Sequence, residues 1–476
     1  MGGVDDLSGH LTARLAADPG APAVTGDIGL TWAQLADRVE ETVAALKPLT
    51  SAGEIVALDI SSPVLGLVAA LAADRLGVAY LPLDTAAPPM RQQWAVESSA
   101  ARAVLREVGP LRLEASALSP TRPVWELADP GYVIYTSGTT GRPKGVHVPK
   151  RALLERLDGL QRYPGLPAAG SFLALSALSF DMSVVETLLP LAAGQPLVAV
   201  DVAARRDVGV FDRAVREHRP GVVQATPSFW RLMIASGWRG DPGLTIWCGG
   251  EALTPDLAEA LSERCGTLWN FYGPTEATVW VSAWRVEPGR PISLGTVLPD
   301  TVVELVDADG TVLTAVGAEG EIRISGAGVA SGYVAATPAE DARFGGPPAA
   351  RTYLTGDRAR RLPDGGLEFL GRGDNQVKIR GHRVELGEVE AALQSHPAVT
   401  EAVALLIGRD DPATARLAAV VVADAAVTAR DLRRWLADRL PPPMIPSKLE
   451  TASALPRTTA GKLDRVAIAA RMTGGK

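Results

Sequence analysis

Residues Tyr135–Gly145 read YTSGTTGRPKG and follow directly on the apolar run Tyr132-Val133-Ile134. A strand that opens into such a loop can wrap a polyphosphate. Glycines let the backbone approach closely, Thr136, Ser137, Thr139 and Thr140 donate hydrogen bonds, Gly138 sits at the centre, and Lys144 adds positive charge. The loop is not a Walker A sequence, because Pro143 stands where a second glycine followed by Lys-Ser/Thr is needed. A dinucleotide fingerprint fails as well: Gly326-Ala-Gly328 is followed by Val329-Ala330-Ser331-Gly332, one residue too long. Arg372-Gly373-Asp374 spells an integrin-type tripeptide by accident.

Five further blocks carry chemistry-bearing side chains, the first three at points where strands end. They are Phe180-Asp181-Met182-Ser183, Gly249-Gly250-Glu251-Ala252-Leu253, Asn270-Phe271-Tyr272-Gly273-Pro274-Thr275-Glu276, Tyr353–Asp357, and the long stretch from Gly371 to Gly381. A sixth, Thr459-Ala-Gly-Lys462-Leu-Asp-Arg465, comes near the end. Read singly they are turns. Together, rich in acid, hydroxyl and lysine, they describe a ligand-binding face at the C-terminal ends of strands.

The elements that must position these groups alternate. Thr31-Trp-Ala-Gln34 forms a capping box before a helix with Leu35, Val39, Val43 and Leu46 on one face. Strands are expected over Glu54–Ile60, Val78–Leu81, Ser171–Leu178, Pro196–Val200, Gly221–Ala225, Leu244–Cys248 and Thr267–Phe271. Helices are expected over Val64–Leu76, Val184–Leu191, Val210–His218, Phe229–Ala235 and Pro255–Arg264. Such βα repetition predicts an α/β fold of parallel sheets covered by helices. From about 291 to 371 short strands and Gly/Asp turns predict a β-rich subdomain. Beyond it lie a helix over Leu386–Gln394, strands near Ala402–Leu406 and Leu417–Val422, and a helix over Ala429–Leu440, which together make an α+β unit. The expected domains are a large N-terminal one, 1–371, and a small mobile C-terminal one, 372–476.

Bulk properties narrow the class. A chain of 476 residues is too long for one ordinary core, so at least two domains follow. A net charge of -7 argues against a nucleic-acid binder. The N-terminus carries neither a basic segment nor an apolar core, and no apolar stretch approaches the roughly 20 residues of a membrane span, so a cytoplasmic protein is expected. Two cysteines, Cys248 on a buried strand and Cys265 at a helix end, exclude a disulfide framework. Five scattered histidines make a zinc site improbable.

With these blocks in this order, the chain resembles the adenylate-forming enzymes, and specifically the amino-acid adenylation domains of nonribosomal peptide synthesis. The resemblance runs nearly the whole length, from Leu30-Thr-Trp-Ala-Gln-Leu35 through Gly77–Asp84 and Gly320–Gly326 to Gly461-Lys462. It implies two steps: formation of an aminoacyl adenylate from an amino acid and ATP with Mg²⁺, then transfer to the phosphopantetheine thiol of a carrier protein. By the same resemblance Thr136 to Lys144 hold the β- and γ-phosphates. Gly250, Glu251 and Ala252 line the adenine, Tyr272 stacks on it, and Asn270, Gly273 and Phe369 complete the nucleotide site. Thr275 touches the α-phosphate and Glu276 coordinates Mg²⁺. Asp357, helped by Arg372, takes the ribose hydroxyls, and Lys462 bridges substrate carboxylate and phosphate. Asp374 is the implied hinge, with Lys378 and Gly381 facing the cleft in a second state. Three positions depart from the pattern: Ala460 for asparagine, Pro443 for tyrosine and Arg358 for leucine. They bear on local geometry near the small domain, not on the reaction.

Asp181 is implied to hold a substrate ammonium, which makes the substrate an α-amino acid; the alternative role is a helix cap. By alignment to the same family's motifs, the resemblance implies as the other pocket positions Met182, Val185, Gln224, Trp247, Gly249, Phe271, Val279 and Trp280. Their bulk predicts a small substrate, L-alanine first, then glycine or serine, with Gln224 available to a serine hydroxyl. The counter-reading is that the aromatic rings stack on an aromatic substrate. Rival functions are a D-alanine–carrier protein ligase, an acyl- or aryl-CoA ligase, and a silent binding module. Besides the carrier protein, a small activating protein is left open as a partner. The chain ends fourteen residues after Lys462 without a carrier site, which leaves open a free-standing enzyme or an excised domain.

Overall fold

The structure, a computed structural model, describes residues 6–122, 125–138, 142–168, 170–287, 289–299, 301–335, 337–347, 350–373, 376–379, 382–408, 415–424, 427–457 and 463–473. The chain divides into two compact units. One comprises residues 1–85, 96–134 and 145–373, the other residues 86–95, 135–144 and 374–476.

At the centre of the first unit is a nine-stranded sheet whose six inner strands are parallel, in the order Cys265–Tyr272, Asp241–Gly249, Val222–Ala225, Phe172–Ala174, Leu197–Ala199, Pro22–Gly26. These strands read as continuous apolar runs because helices cover both faces. Their side chains alternate between two cores. Phe172, Trp247 and Phe271 point to the side packed by the helices Pro63–Leu76, Lys150–Arg162 and Met182–Ala193. Leu173, Val223, Ile246, Cys248 and Leu268 point to the other, against Phe211, Trp230, Met233, Leu257 and Leu261. A seven-stranded sheet carries Ile55–Asp59, Ala79–Pro82 and Pro130–Thr136, parallel in its middle. The region after Thr301 forms an antiparallel five-stranded sheet around Leu305, Ile322, Ile324 and Tyr353. This is the α/β architecture the sequence leads one to expect. The Thr31–Gln34 capping box is present with both of its hydrogen bonds.

In the second unit the hairpin Gln376–Ile379/His382–Glu385 leads into the helix Leu386–Gln394. A three-stranded sheet follows, Val399–Ile407, Arg416–Ala423 and Lys448–Ala452. Its two faces bury Ala419, Val421, Leu432 and Leu436 on one side and Val403, Leu405, Val420 and Ile468 on the other.

Three expectations need correcting. Cys265 does not end a helix: the helix stops at Ser262 and Cys265 opens a strand. The helix expected over Ala429–Leu440 ends at Ala437, with Pro441 to Pro443 close behind. The strand expected over Ser171–Leu178 is only Phe172–Ala174, because the N–H groups of Leu175 and Ser176 donate to the Glu186 carboxylate (2.9 and 2.7 Å) instead of to a neighbouring strand. No helix among the described residues is long and apolar enough to cross a membrane.

Candidate functional site

Register brings the pocket residues onto one face of the parallel sheet. Gln224 lies opposite Trp247, and Gly249 opposite Phe271. Trp247 and Gly249 are two apart on their strand, so they share that face. The rings form a row: Trp247 and Phe271 lie 4.5 Å apart between centroids, Phe271 and Trp280 5.5 Å, and Phe172 meets Trp247 edge-on at 5.4 Å. Gly249 is required by packing, since a Cβ there would stand 2.6 Å from the Trp280 ring and 2.8 Å from the Phe271 carbonyl. The Trp247 Nε1–H is buried without an acceptor among the described residues.

The helix Met182–Ala193 supplies the opposite wall with Met182 and Val185, both buried. Met182 Sδ is 3.7 Å from the Cβ position of Gly250, a glycine with φ +83°. Asp181 occupies the N-cap position of this helix but with φ −60° and ψ −25°, and its side chain makes no capping hydrogen bond. The capping role is therefore absent. Burial, followed by the Asp181 charge, pushes the Tyr132 hydroxyl well above its ordinary pKa, so the Asp181 field reaches into the protein at this point.

Gln224 is fully buried and its amide is committed. Nε2 donates to the Met182 carbonyl (3.0 Å) and to Glu186 Oε1 (3.3 Å), while Oε1 accepts from the Trp280 indole (2.7 Å). Trp280 is held behind a strained turn. Thr278 and Val279 both adopt positive φ (57° and 66°), which costs β-branched residues about 1–2 kcal/mol each. The Thr278 hydroxyl donating to the Gly328 carbonyl (2.7 Å) holds the turn, and Gly273 is needed because a Cβ would stand 2.2 Å from the Val279 carbonyl oxygen.

The residues of this unit that the resemblance implies for the nucleotide fall into three groups. Asp357 is buried and doubly engaged: the Tyr272 hydroxyl donates to Oδ2 (2.7 Å) and Arg372 pairs with Oδ1 (2.6 Å). Arg372 also donates to the Thr355 carbonyl (3.0 Å), so the pair is a built feature, not a surface ion pair. Phe369 lies 6.3 Å from the Tyr272 ring. Glu276, beside Thr275 in a single helical turn, is fully buried and accepts from the Tyr333 hydroxyl (2.8 Å). Glu251 accepts from the Ser228 N–H (2.9 Å), next to Ala252, and Asn270 donates to the Ser293 carbonyl (2.8 Å).

In the second unit, Thr136, Ser137 and Lys144 are buried. Ser137 Oγ donates to the Arg383 carbonyl (2.8 Å), and Thr136 Oγ1 has no hydrogen-bond partner among the described residues. Trp94 braces the loop, its indole donating to the Pro143 carbonyl (3.3 Å) and the Arg142 guanidinium lying 4.7 Å above its ring. Lys378 pairs in register with Arg383 in the hairpin. Thr139, Thr140, Asp374, Gly381 and Lys462 lie outside the described residues.

Sequence reasoning missed Glu186, Tyr333 and Arg156. Glu186 carried a signal: it is the one charged residue in the helix MSVVETLLPLAA, and a charge in an otherwise apolar helix is a buried one. Arg156, fully buried, donates to Thr301 Oγ1 and to the Ala277 carbonyl (both 3.1 Å), and burial lowers its pKa to about 10. It anchors the turn next to Glu276, and nothing in its own helical sequence announces this.

Parallel sheets with an acid-rich face at their strand ends, followed by a small α+β unit, define a class of proteins that the comparisons specify. The chain belongs to the AMP-binding enzyme family, matching it over residues 11–334, and the AMP-binding enzyme C-terminal domain over residues 388–462. It is similar to a dimodular nonribosomal peptide synthase of Bacillus subtilis, 36% identical over 82% of this chain and 16% of that protein. It is also similar to tyrocidine synthase 3 of Brevibacillus parabrevis, 36% identical over 85% of this chain and 6% of that protein. The chain thus spans well under a third of the length of these curated relatives. Among solved structures it resembles a four-domain nonribosomal peptide synthetase bound to AMP and glycine, with TM-score 0.70, 31% identity, and coverage of 98% of this chain and 36% of that one. A synthetase protein containing adenylation and PCP domains, bound to a vinylsulfonamide inhibitor, gives TM-score 0.81 and 26% identity over 97% of this chain and 84% of that one.

Proposed function

We propose that this chain activates a small α-amino acid, L-alanine first and then glycine or serine, as its aminoacyl adenylate, and loads it onto the phosphopantetheine thiol of a carrier protein. The observation that carries the reading is Asp181. Its carboxylate stands at the head of the pocket helix without capping it, directly before Met182, and its charge acts on the buried Tyr132 hydroxyl. A carboxylate in such a place binds a cation, and an α-ammonium group is the cation this pocket would admit. The row of Trp247, Phe271 and Trp280, closed by Gly249, supports a small side chain. Because Gln224 already makes three hydrogen bonds, a serine hydroxyl finds little there, which keeps serine behind alanine.

The residues present fit ATP. The Thr136 hydroxyl, buried without a hydrogen-bond partner among the described residues, is a donor suited to a phosphate oxygen, Asp357 is held by Tyr272 and Arg372 as an acceptor for ribose hydroxyls, and Gly250, at positive φ, puts no side chain where the adenine is expected. Glu276 fits Mg²⁺, which takes one or two carboxylates together with substrate phosphates. When bound, that ion supplies charge neutralisation at the phosphates. Tyr333 orients the Glu276 carboxylate, and Lys144 and Lys462 supply further positive charge where the α-phosphorus is attacked and pyrophosphate departs.

Amino-acid-dependent ATP–pyrophosphate exchange tests the reading, with L-Ala, Gly, L-Ser, D-Ala, L-Phe and benzoate as substrates. Exchange led by L-Ala or Gly, with none for Phe, is the expected outcome. Exchange led by D-Ala moves the protein to the D-alanine–carrier ligases. Exchange with benzoate alone sinks the amino-acid reading.

A further inference from the structure

Glu186 has no place in the adenylation chemistry, yet it is fully buried beside the substrate pocket and saturated with donors. Oε2 accepts from the N–H groups of Leu175 and Ser176, and Oε1 from the Ser176 hydroxyl (2.7 Å) and from Gln224 Nε2. Arg205 closes the far side by donating to the carbonyls of the same two residues, Leu175 and Ser176. Above about pH 7, where the Glu186 carboxylate is ionised, it is acceptor-only and dictates which end of the Gln224 amide faces it: the NH₂. The amide oxygen is thereby turned towards Trp280, whose indole N–H it accepts at 2.7 Å. Trp280 in turn lies against Gly249 and Phe271, where the substrate side chain is expected to end.

From this chain of contacts we infer that Glu186 is a specificity-determining positioning residue, which through the orientation of Gln224 fixes the Trp280 indole as the wall that limits substrate size. The inference rests on the adenylation reading for what the wall discriminates, but not for the coupling itself. It also explains why the strand Phe172–Ala174 stops short. The backbone that would have continued it is used to hold the carboxylate.

Glu186→Gln is the test, because it keeps the shape and replaces one acceptor oxygen with a donor. If the new NH₂ faces Gln224, two donors oppose each other. The Gln224 amide must then turn, which sets its own NH₂ against the Trp280 N–H. With ¹⁵N-labelled tryptophan, the Trp280 indole resonance, assigned by its loss in Trp280→Phe, is expected to shift in Glu186→Gln. The Trp435 resonance, whose indole bonds the Ala392 carbonyl in the other unit, should stay in place. In exchange kinetics, the preference for L-alanine over L-valine and L-leucine should fall about tenfold or more, with KM for L-alanine rising while kcat stays within about threefold. Should Glu186→Gln fail to fold, Ser176→Ala removes one donor from the same Oε1 and is expected to shift the same resonance less. An unmoved Trp280 resonance, or a uniform loss of activity with unchanged selectivity, overturns the inference. If the wild-type protein exchanges no amino acid, the substrate reading fails, while the indole resonance still decides the coupling.

Discussion

At the scale of the residue, the account depends on Asp181 being a binding group and not a structural one. Asp181→Asn keeps the size and shape of the side chain, so it should lower the melting temperature far less than it lowers activity. The same substitution should lower kcat/KM for L-alanine by roughly a hundredfold or more, since an ammonium left without its partner costs about 3 kcal/mol or more. A comparable fall in melting temperature and activity together would return Asp181 to a structural role. Trp280→Ala should do the reverse. It removes a buried indole, costs about 3–5 kcal/mol of stability, and opens space in which L-leucine gains exchange. A variant that loses stability without admitting larger side chains would show that Trp280 does not limit the pocket. The resemblance pointed to these two positions because Asp181 lies within one of its motifs and Trp280 just after another. It did not show that Gln224 is saturated, because hydrogen-bond partners 38 to 56 residues away leave no local pattern.

At the scale of the element, the helix Met182–Ala193 and the strand Phe172–Ala174 are joined through one carboxylate. Burial raises the Glu186 pKa from 4.5 to about 7, while its own hydrogen bonds oppose the rise. Between those values the folded protein keeps a proton that the unfolded chain has released, so this group's contribution to stability falls as pH rises through that window. Burial lowers the His147 pKa from 6.5 to about 4, so His147 acts oppositely: its contribution is lost as pH falls from about 6.5 towards 4. In Glu186→Gln only the second effect remains. The melting-temperature difference, wild type minus variant, should therefore grow as calorimetry is taken from pH 7.5 down to 5. A difference that is constant with pH would mean that Glu186 holds no extra proton. The element pattern itself was largely legible: the helix Leu386–Gln394 begins and ends where its apolar periodicity does. The strand after Ser171 was not, because continuing apolar residues such as Leu175 and Leu178 look like strand whether or not their N–H groups pair with one.

At the scale of the whole molecule, the proposal assigns the two chemical steps to different demands on the second unit. Lys462→Ala should reduce ATP–pyrophosphate exchange by roughly a hundredfold or more, because the charge that the resemblance implies for the reacting phosphate is lost. Asp374→Pro, which fixes φ at the implied hinge, should leave exchange within a few-fold and slow thioester formation on a carrier protein. Equal effects of both variants on both steps would remove the hinge from the account. The alternation of strand and helix patterns along the chain announced the α/β class, because repeated βα units build parallel sheets covered by helices. It could not announce that residues 86–95 and 135–144 cluster with the C-terminal region, since no local signal marks a long-range contact. The central claim is that this chain recognises an amino acid by its ammonium group. The most direct measurement compares exchange supported by L-alanine with exchange supported by propionate, which lacks only that group. The account predicts strong exchange with L-alanine, none above background with propionate, and loss of the difference in Asp181→Asn; equal exchange with both acids in the wild-type protein would contradict it.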